Sequence, residues 1–303
     1  MARAGGLADV FAASPSLAEP LAGIERAARL ESPILIVGEP GTGRSTLARA
    51  VHADGPRAGR PLIEVDVGVV PASLFESELF GHRAGAFTGA TDDYPGRVGL
   101  AEGGTLVLDH VEELPLPAQP KLLRLLSERN VSPLGGRERA VDVRFVSIGP
   151  PDLERRVETG RFRGDLFYRL DVLAFVLPPL RRRIEDLPSL LERLLADLAE
   201  RLDRDPTPTL SARAQRWMRG HVWPGNLRQL RNVLEREMLV QAGPVLDPDP
   251  PREGRRPRTL AAMEREHLLA ALAYTRGHQG RAAELLGISR KALWEKRKRF
   301  GLP

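Results

Sequence analysis

Two stretches of this chain carry residues whose types and spacing suit phosphate chemistry. "GEPGTGRS", comprising Gly38, Glu39, Pro40, Gly41, Thr42, Gly43, Arg44 and Ser45, has the spacing G-x-x-x-x-G-cation-S and runs on into Thr46. Its glycines let backbone N–H groups close around phosphate oxygens at a helix start, and the Ser45 hydroxyl can reach a magnesium ion. The cation is Arg44, a broad planar fork where a compact lysine ammonium is usual. Further along, "TLVLDHVEELP", residues 105 to 115, reads as a buried strand ending on Asp109. In such an arrangement that acid holds magnesium through water, and the residue after it polarises the attacking water. Here that residue is His110. A ligand-free glycine-rich turn is the competing reading of the first stretch; the strand before it, the helix after it and the acid-tipped strand favour a nucleotide such as ATP.

The elements that must position these groups follow from apolar spacing. "PILIVGEPGTGRSTLARAVH" gives strand, turn and helix, while "PLIEVDV", "GTLVLDH" and "VDVRFVSI" are short β-branched runs suited to a buried parallel sheet. Helical patterns such as "AQPKLLRLLSE" lie between them, which predicts an α/β domain over residues 1–185. From 186 to 241 the spacing turns to threes and fours in "SLLERLLADLAERL", "SARAQRWMRG" and "NLRQLRNVLEREMLVQ", predicting a helical subdomain. Residues 242–258, rich in proline and charge, read as a linker, and 259–303 as a domain of three short helices.

Composition narrows the function classes. The chain has 303 residues and no cysteine, so disulfides, thiolate metal sites and cysteine nucleophiles are excluded. No apolar run suits a membrane span, and the start lacks the build of a signal peptide, so a cytoplasmic location is the expectation. Residues 252–303 hold thirteen Lys/Arg against five Asp/Glu, net +8, leaving 32 against 35, net −3, for the remainder. The positive charge sits at the C-terminal end, which points to nucleic acid there. In that segment "GRAAELLGISRKALWEKRKRFGL" gives a short helix, a turn at Gly287, a Ser289 cap and a basic second helix, the grammar of a helix-turn-helix for double-stranded DNA. Arg290 is the base-reading candidate beside Ser289 and Lys291; Lys296, Lys298 and Arg299 are candidates for phosphate contacts. The preceding amphipathic run, with Thr259 as its expected cap, suits pairing with its twin in a dimer.

"ESELFGHRAGAFTGA", residues 76–90, places Phe87 among small residues in a loop with no simple stability rationale. This stretch closely resembles the sigma-54 contact loop of the AAA+ bacterial enhancer-binding proteins. "GGTLVLDHVEELP", "GRFRGDLFYRLDV", "PPLRRRIEDLP" and "WPGNLRQLRN" resemble, in order, their Walker B strand, arginine-finger segment, exit from the α/β core and sensor II helix, and the tail resembles their Fis-type domain. The resemblance implies a P-loop AAA+ core with a helical lid, a hexameric ring with ATP sites between subunits, and a GAFTGA loop, here Gly85, Ala86, Phe87, Thr88, Gly89 and Ala90, that presses on sigma-54 RNA polymerase to open promoter DNA. It assigns Arg163 and Arg169 as paired arginine fingers and Arg228 as the sensor II arginine; guanidinium forks suit phosphate oxygens. With the chain starting almost directly at the ATPase, no receiver or ligand-sensing domain is expected before residue 20.

Four positions depart from the family pattern. Arg44 and His110 are two; Gly149 and Pro150 replace the Thr-Asn of sensor I, and no side chain at Pro150 can hydrogen-bond. Asp66 falls where the family has an asparagine that restrains the Walker B glutamate. Asp66 and His110 are read either as a carboxylate–imidazole pair that handles water, or as drift at two sites after hydrolysis ceased to matter. Two functions therefore stay open: an ATP-driven activator of sigma-54 promoters, and a hydrolysis-impaired ring subunit dependent on an active paralogous partner.

Overall fold

The computed structural model describes residues 6–251, residues 264, 268, 269, 271, 272 and 275, and residues 278–300. Two compact units emerge, Met1–Asp249 and Pro250–Pro303.

In the first unit five strands form one parallel sheet: β1 (Ile34–Gly38), β2 (Leu62–Asp66), β3 (Thr105–Asp109), β6 (Arg144–Gly149) and β7 (Ala174–Leu177), in the order β2-β3-β6-β1-β7. A small antiparallel pair, β4 (Asn130–Val131) and β5 (Arg139–Ala140), lies outside it. The three central strands are apolar on both faces because both are covered. Leu35, Leu106, Leu108 and Phe145 meet a layer that includes Phe75, Leu122 and Leu166, while Ile34, Ile36, Val107 and Val146 meet Ile24, Leu47 and Val51. Since every strand is parallel, their carboxyl ends share one edge, the usual crevice for ligands in such sheets. Register puts Asp66 directly beside Asp109, and Val37 beside Gly149.

Helices α1 (Leu7–Ala13), α2 (Ile24–Ala28) and α3 (Arg44–Ala53) flank one face; α4 (Phe75–Phe80), α5 (Gly96–Leu100), α6 (Gln119–Glu128), α7 (Leu153–Glu158) and α8 (Gly164–Leu170) complete the α/β part. The lid consists of α9 (Leu187–Arg201), α10 (Ala212–Gly220) and α11 (Asn226–Val240), packed around the fully buried Trp223. The linker expected from residue 242 begins later. Val245–Leu246 pairs in parallel with Thr209–Leu210, Leu246 is fully buried, and Trp217 Nε1 donates to Pro248 O at 2.9 Å. A two-residue strand has no apolar periodicity to read, which is why composition alone marked this stretch as linker.

In the second unit, α12 (Gln279–Leu285) and α13 (Arg290–Phe300) flank a turn in which Gly287 has φ 64°. Ser289 Oγ accepts from Ala292 N at 3.1 Å, the expected cap. Thr259 lies outside the described residues.

Candidate nucleotide site

At the sheet's carboxyl edge, β1 runs through the loop Glu39–Gly43 into α3. Gly41 has φ 79°, and a Cβ there would lie 2.5 Å from Gly225 O. Only glycine permits this approach. Through it the lid grips the loop: Leu227 N donates to Gly41 O at 2.9 Å, and Arg228 begins beside Gly41. Asn226, left-handed at φ 50°, donates from Nδ2 to Pro40 O at 3.1 Å and accepts from Leu180 N at 2.8 Å. Glu39 receives two hydrogen bonds from Arg181, at 2.6 and 2.7 Å, which hold its carboxyl below the usual range. Thr42 is buried, with Oγ1 donating to Glu39 O at 2.8 Å, whereas Thr46 is exposed. Sequence reading passed over Asn226 and Arg181 as partners of the loop; the signal was the asparagine in "WPGN".

Arg44 is 5% exposed, and its guanidinium reaches the backbone of another departing segment. Nη1 donates to Gly38 O at 2.8 Å and to Gly149 O at 3.0 Å, tying the ends of β1 and β6, and Nη2 lies 3.8 Å from Asp109 Oδ1. Much of the cation's hydrogen-bonding capacity is thus used within the protein. Ser45 Oγ donates to Asp109 Oδ2 at 3.0 Å, so a hydroxyl and a carboxylate, both hard oxygen donors, stand together as magnesium requires.

His110 follows Asp109 in a left-handed conformation, φ 56°. Its backbone N donates to Asp109 Oδ1 at 2.9 Å, and its ring Nδ1 is 2.8 Å from Asp66 Oδ1. The register of β2 and β3 makes this contact: two adjacent parallel strands end on acids, and the turn swings the ring across to the neighbouring strand. Asp66 Oδ1 also accepts from Gly68 N at 3.1 Å, which fixes the carboxylate.

Glu112, two residues after His110, is a buried acid that sequence reading passed over. Its Oε2 is buried without a hydrogen-bond partner among the described residues. Burial pushes its carboxyl above the usual range, against the opposing pull of its own backbone N–H, His110, Arg156 and Arg44. The acidic pair after Val111 was the available signal.

Beside the loop lies a cleft of about 210 Å³, lined by Val10, Leu17, Thr42, Leu190, Leu194 and Leu227 among others. The remaining candidates lie elsewhere. Arg163 pairs with Asp165 at 2.7 Å, and Arg169 donates to Leu126 O at 3.1 Å. In the loop of residues 85–90, Gly85 N donates to Ala90 O at 2.8 Å and Ala90 N to Phe87 O at 3.0 Å. Thr88 and Gly89 are exposed, and Ala86 sits against Gly135. Phe87 is 38% exposed and meets His82 edge to face at 5.0 Å, so it has a packing partner that the sequence reading denied it.

A family description, "Sigma-54 interaction domain", matches residues 10–176; "AAA+ ATPase lid domain" matches 181–255, and "Bacterial regulatory protein, Fis family" matches 259–300. The chain belongs to the sigma-54 activator family. The DNA-binding transcriptional activator HyfR of Escherichia coli is 44% identical over 245 residues, covering 80% of this chain and 36% of that protein. The alginate biosynthesis regulator AlgB of Pseudomonas aeruginosa is 40% identical over 302 residues, covering 95% and 67%. Among solved structures, NtrX from Brucella abortus in complex with ATP matches with TM-score 0.72 at 35% identity, covering 95% of this chain and 67% of that one. The chain thus spans from about a third to two thirds of the length of these relatives. This sigma-54 activator family member has a parallel-sheet AAA+ core, a helical lid and a helix-turn-helix unit, as the sequence implied. Among the described residues no helix is long and apolar enough to cross a membrane.

Proposed function

We propose that this chain is a nucleotide-driven, DNA-bound regulator of sigma-54 RNA polymerase in the cytoplasm, in which Asp66 and His110 together handle the attacking water. The observation that carries the reading is the 2.8 Å contact between His110 Nδ1 and Asp66 Oδ1 beside the Ser45–Asp109 pair. With Nδ1–H donated to Asp66, Nε2 keeps its lone pair and can accept a proton from water, and the carboxylate stabilises the resulting imidazolium. The N–H groups of the loop 39–46 suit phosphate oxygens, the cleft beside it suits a base, and Ser45 and Asp109 suit magnesium. When bound, that ion neutralises phosphate charge.

The ring, with Arg163 and Arg169 serving a neighbour and Arg228 its own nucleotide, and the pressing of Phe87 and Thr88 on sigma-54 follow from family membership and belong to this proposal. So does dimerisation through the C-terminal unit on an upstream DNA site. Their support is placement: Arg163 and Arg169 are exposed, and Thr88 stands at the tip of a tight turn. One observation favours the second reading, a hydrolysis-impaired subunit relying on an active paralogue: Arg44 Nη1 is committed to two carbonyls, and Pro150 offers no donor. Steady-state ATP turnover decides, measured for the parent, His110→Ala, His110→Glu and His110→Glu with Asp66→Asn. An active parent that loses about 10²–10⁴-fold in His110→Ala supports the pair. If the parent is inactive and His110→Ala matches it in both nucleotide binding and turnover, the pair has no role and the second reading stands.

A further inference from the structure

On the reading that the second unit binds duplex DNA, α13 decides which bases it reads. Helix α13 has an inward face set by Leu293, which is 1% exposed, together with Phe300. Arg297 lies on the same side with its Nε buried, so its stem covers the core edge where the family has leucine. Lys296, expected to hold phosphate, instead pairs with Glu264, and Arg299 lies 3.9 Å from the same carboxylate. The Arg290 guanidinium folds over α12, within 2.9 Å of where a Gly280 Cβ would stand. Lys296 is thus engaged within the unit, while Arg290 lies along α12 and stays exposed.

Beside the exposed Arg290 and Arg299, the outward face carries Lys291, Trp294, Glu295 and Lys298. Trp294 is 56% exposed, with Lys298 Nζ at 5.3 Å from its ring. Glu295 is exposed and makes no ion pair among the described residues, including with Lys291 and Arg299 one turn away. Neither residue suits a phosphate: an indole offers one weakly placed donor and an apolar surface, and a carboxylate repels the backbone. Lys291 and Lys298, set one turn to either side, supply the charge that brings the helix to DNA. In a major groove an apolar surface complements the thymine methyl, and a carboxylate accepts from an exocyclic amine, the cytosine N4 amine being its usual partner. We propose that Trp294 and Glu295 are the specificity-determining pair of this chain, Trp294 covering a thymine C5-methyl and Glu295 accepting from a neighbouring cytosine amine.

The test begins by selecting duplexes from a random pool with the full chain, then measures affinity at fixed salt for the parent, W294A and E295Q. Replacing thymine by uracil removes only the methyl. At one position in a single half-site this weakens the parent about fourfold, the worth of one buried methyl, and leaves W294A indifferent. Replacing the adjacent cytosine by thymine weakens the parent at least tenfold and E295Q less than threefold. The proposal is overturned if W294A still distinguishes uracil from thymine, or if it weakens all duplexes equally with a shallower salt dependence, the mark of a phosphate contact. A parent that binds no duplex removes the DNA reading itself, whereas tight binding with unchanged base preference in both variants removes only this assignment.

Discussion

Arg44 offers the sharpest test of how the departures fit together. If it is a strut between β1 and β6, then Arg44→Met leaves Gly38 O and Gly149 O, both on buried residues, without their donor. Hydrogen bonds from a charged donor contribute about 1.5–3 kcal/mol each, so losing both costs about 3–6 kcal/mol. Arg44→Lys keeps the charge, but its compact ammonium on a different stem reaches one carbonyl well, which gives about half that loss. For a unit of this size each kcal/mol shifts Tm by about 2–4 °C, so Arg44→Met should melt on the order of 10 °C lower. Urea and thermal unfolding without nucleotide, followed by the fluorescence of Trp217 and Trp223, reads this directly. A fluorescent ATP analogue then reads binding under the same conditions. Should Arg44→Met unfold within 0.5 kcal/mol of the parent, roughly the scatter of surface substitutions, while nucleotide affinity collapses, the strut argument is wrong and Arg44 serves phosphate alone.

Three further outcomes are expected. Glu112 has a folded-state pKa above its unfolded value, so its stabilising contribution is complete below the unfolded value and is lost as pH rises through the folded one. Glu112→Gln should therefore raise stability near pH 8, on the order of the 1–3 kcal/mol cost of an unpartnered buried acceptor, with the gain closing towards about pH 4 in parallel urea titrations. Asn226→Ala removes the bonds to Pro40 O and Leu180 N at a left-handed position and should cost about 2–4 kcal/mol, with Asn226→Gly recovering only the backbone share, as read by thermal unfolding. His82→Ala removes the edge-to-face partner of Phe87, worth about 0.5–1.5 kcal/mol, and should raise acrylamide quenching of a tryptophan introduced at residue 87; unchanged quenching would show that the loop is held by its backbone turn instead.

Much of the site could be read along the chain because its parts are local. A glycine-rich turn between a strand and a helix, an acid at a strand tip, and a cap beside a glycine turn are each written within a dozen residues, and the parallel sheet follows from buried β-branched runs. Apolar spacing likewise separated the lid from the core, and charge placed the DNA-facing unit at the C-terminal end. What the sequence could not decide was where long polar side chains end. Arg44 could have faced a ligand; only the convergence of β1 and β6 turns its Nη1 onto Gly38 O and Gly149 O. Asp66 and His110 are 44 residues apart, and strand register alone brings them to 2.8 Å. Glu112 reads as one more surface acid until packing buries its Oε2, and nothing in the spacing shows that Lys296 pairs with Glu264. Side-chain identity and local spacing determined the chemistry available here; pairing across strands and helices, which depends on register and burial, decided which groups are free to use it.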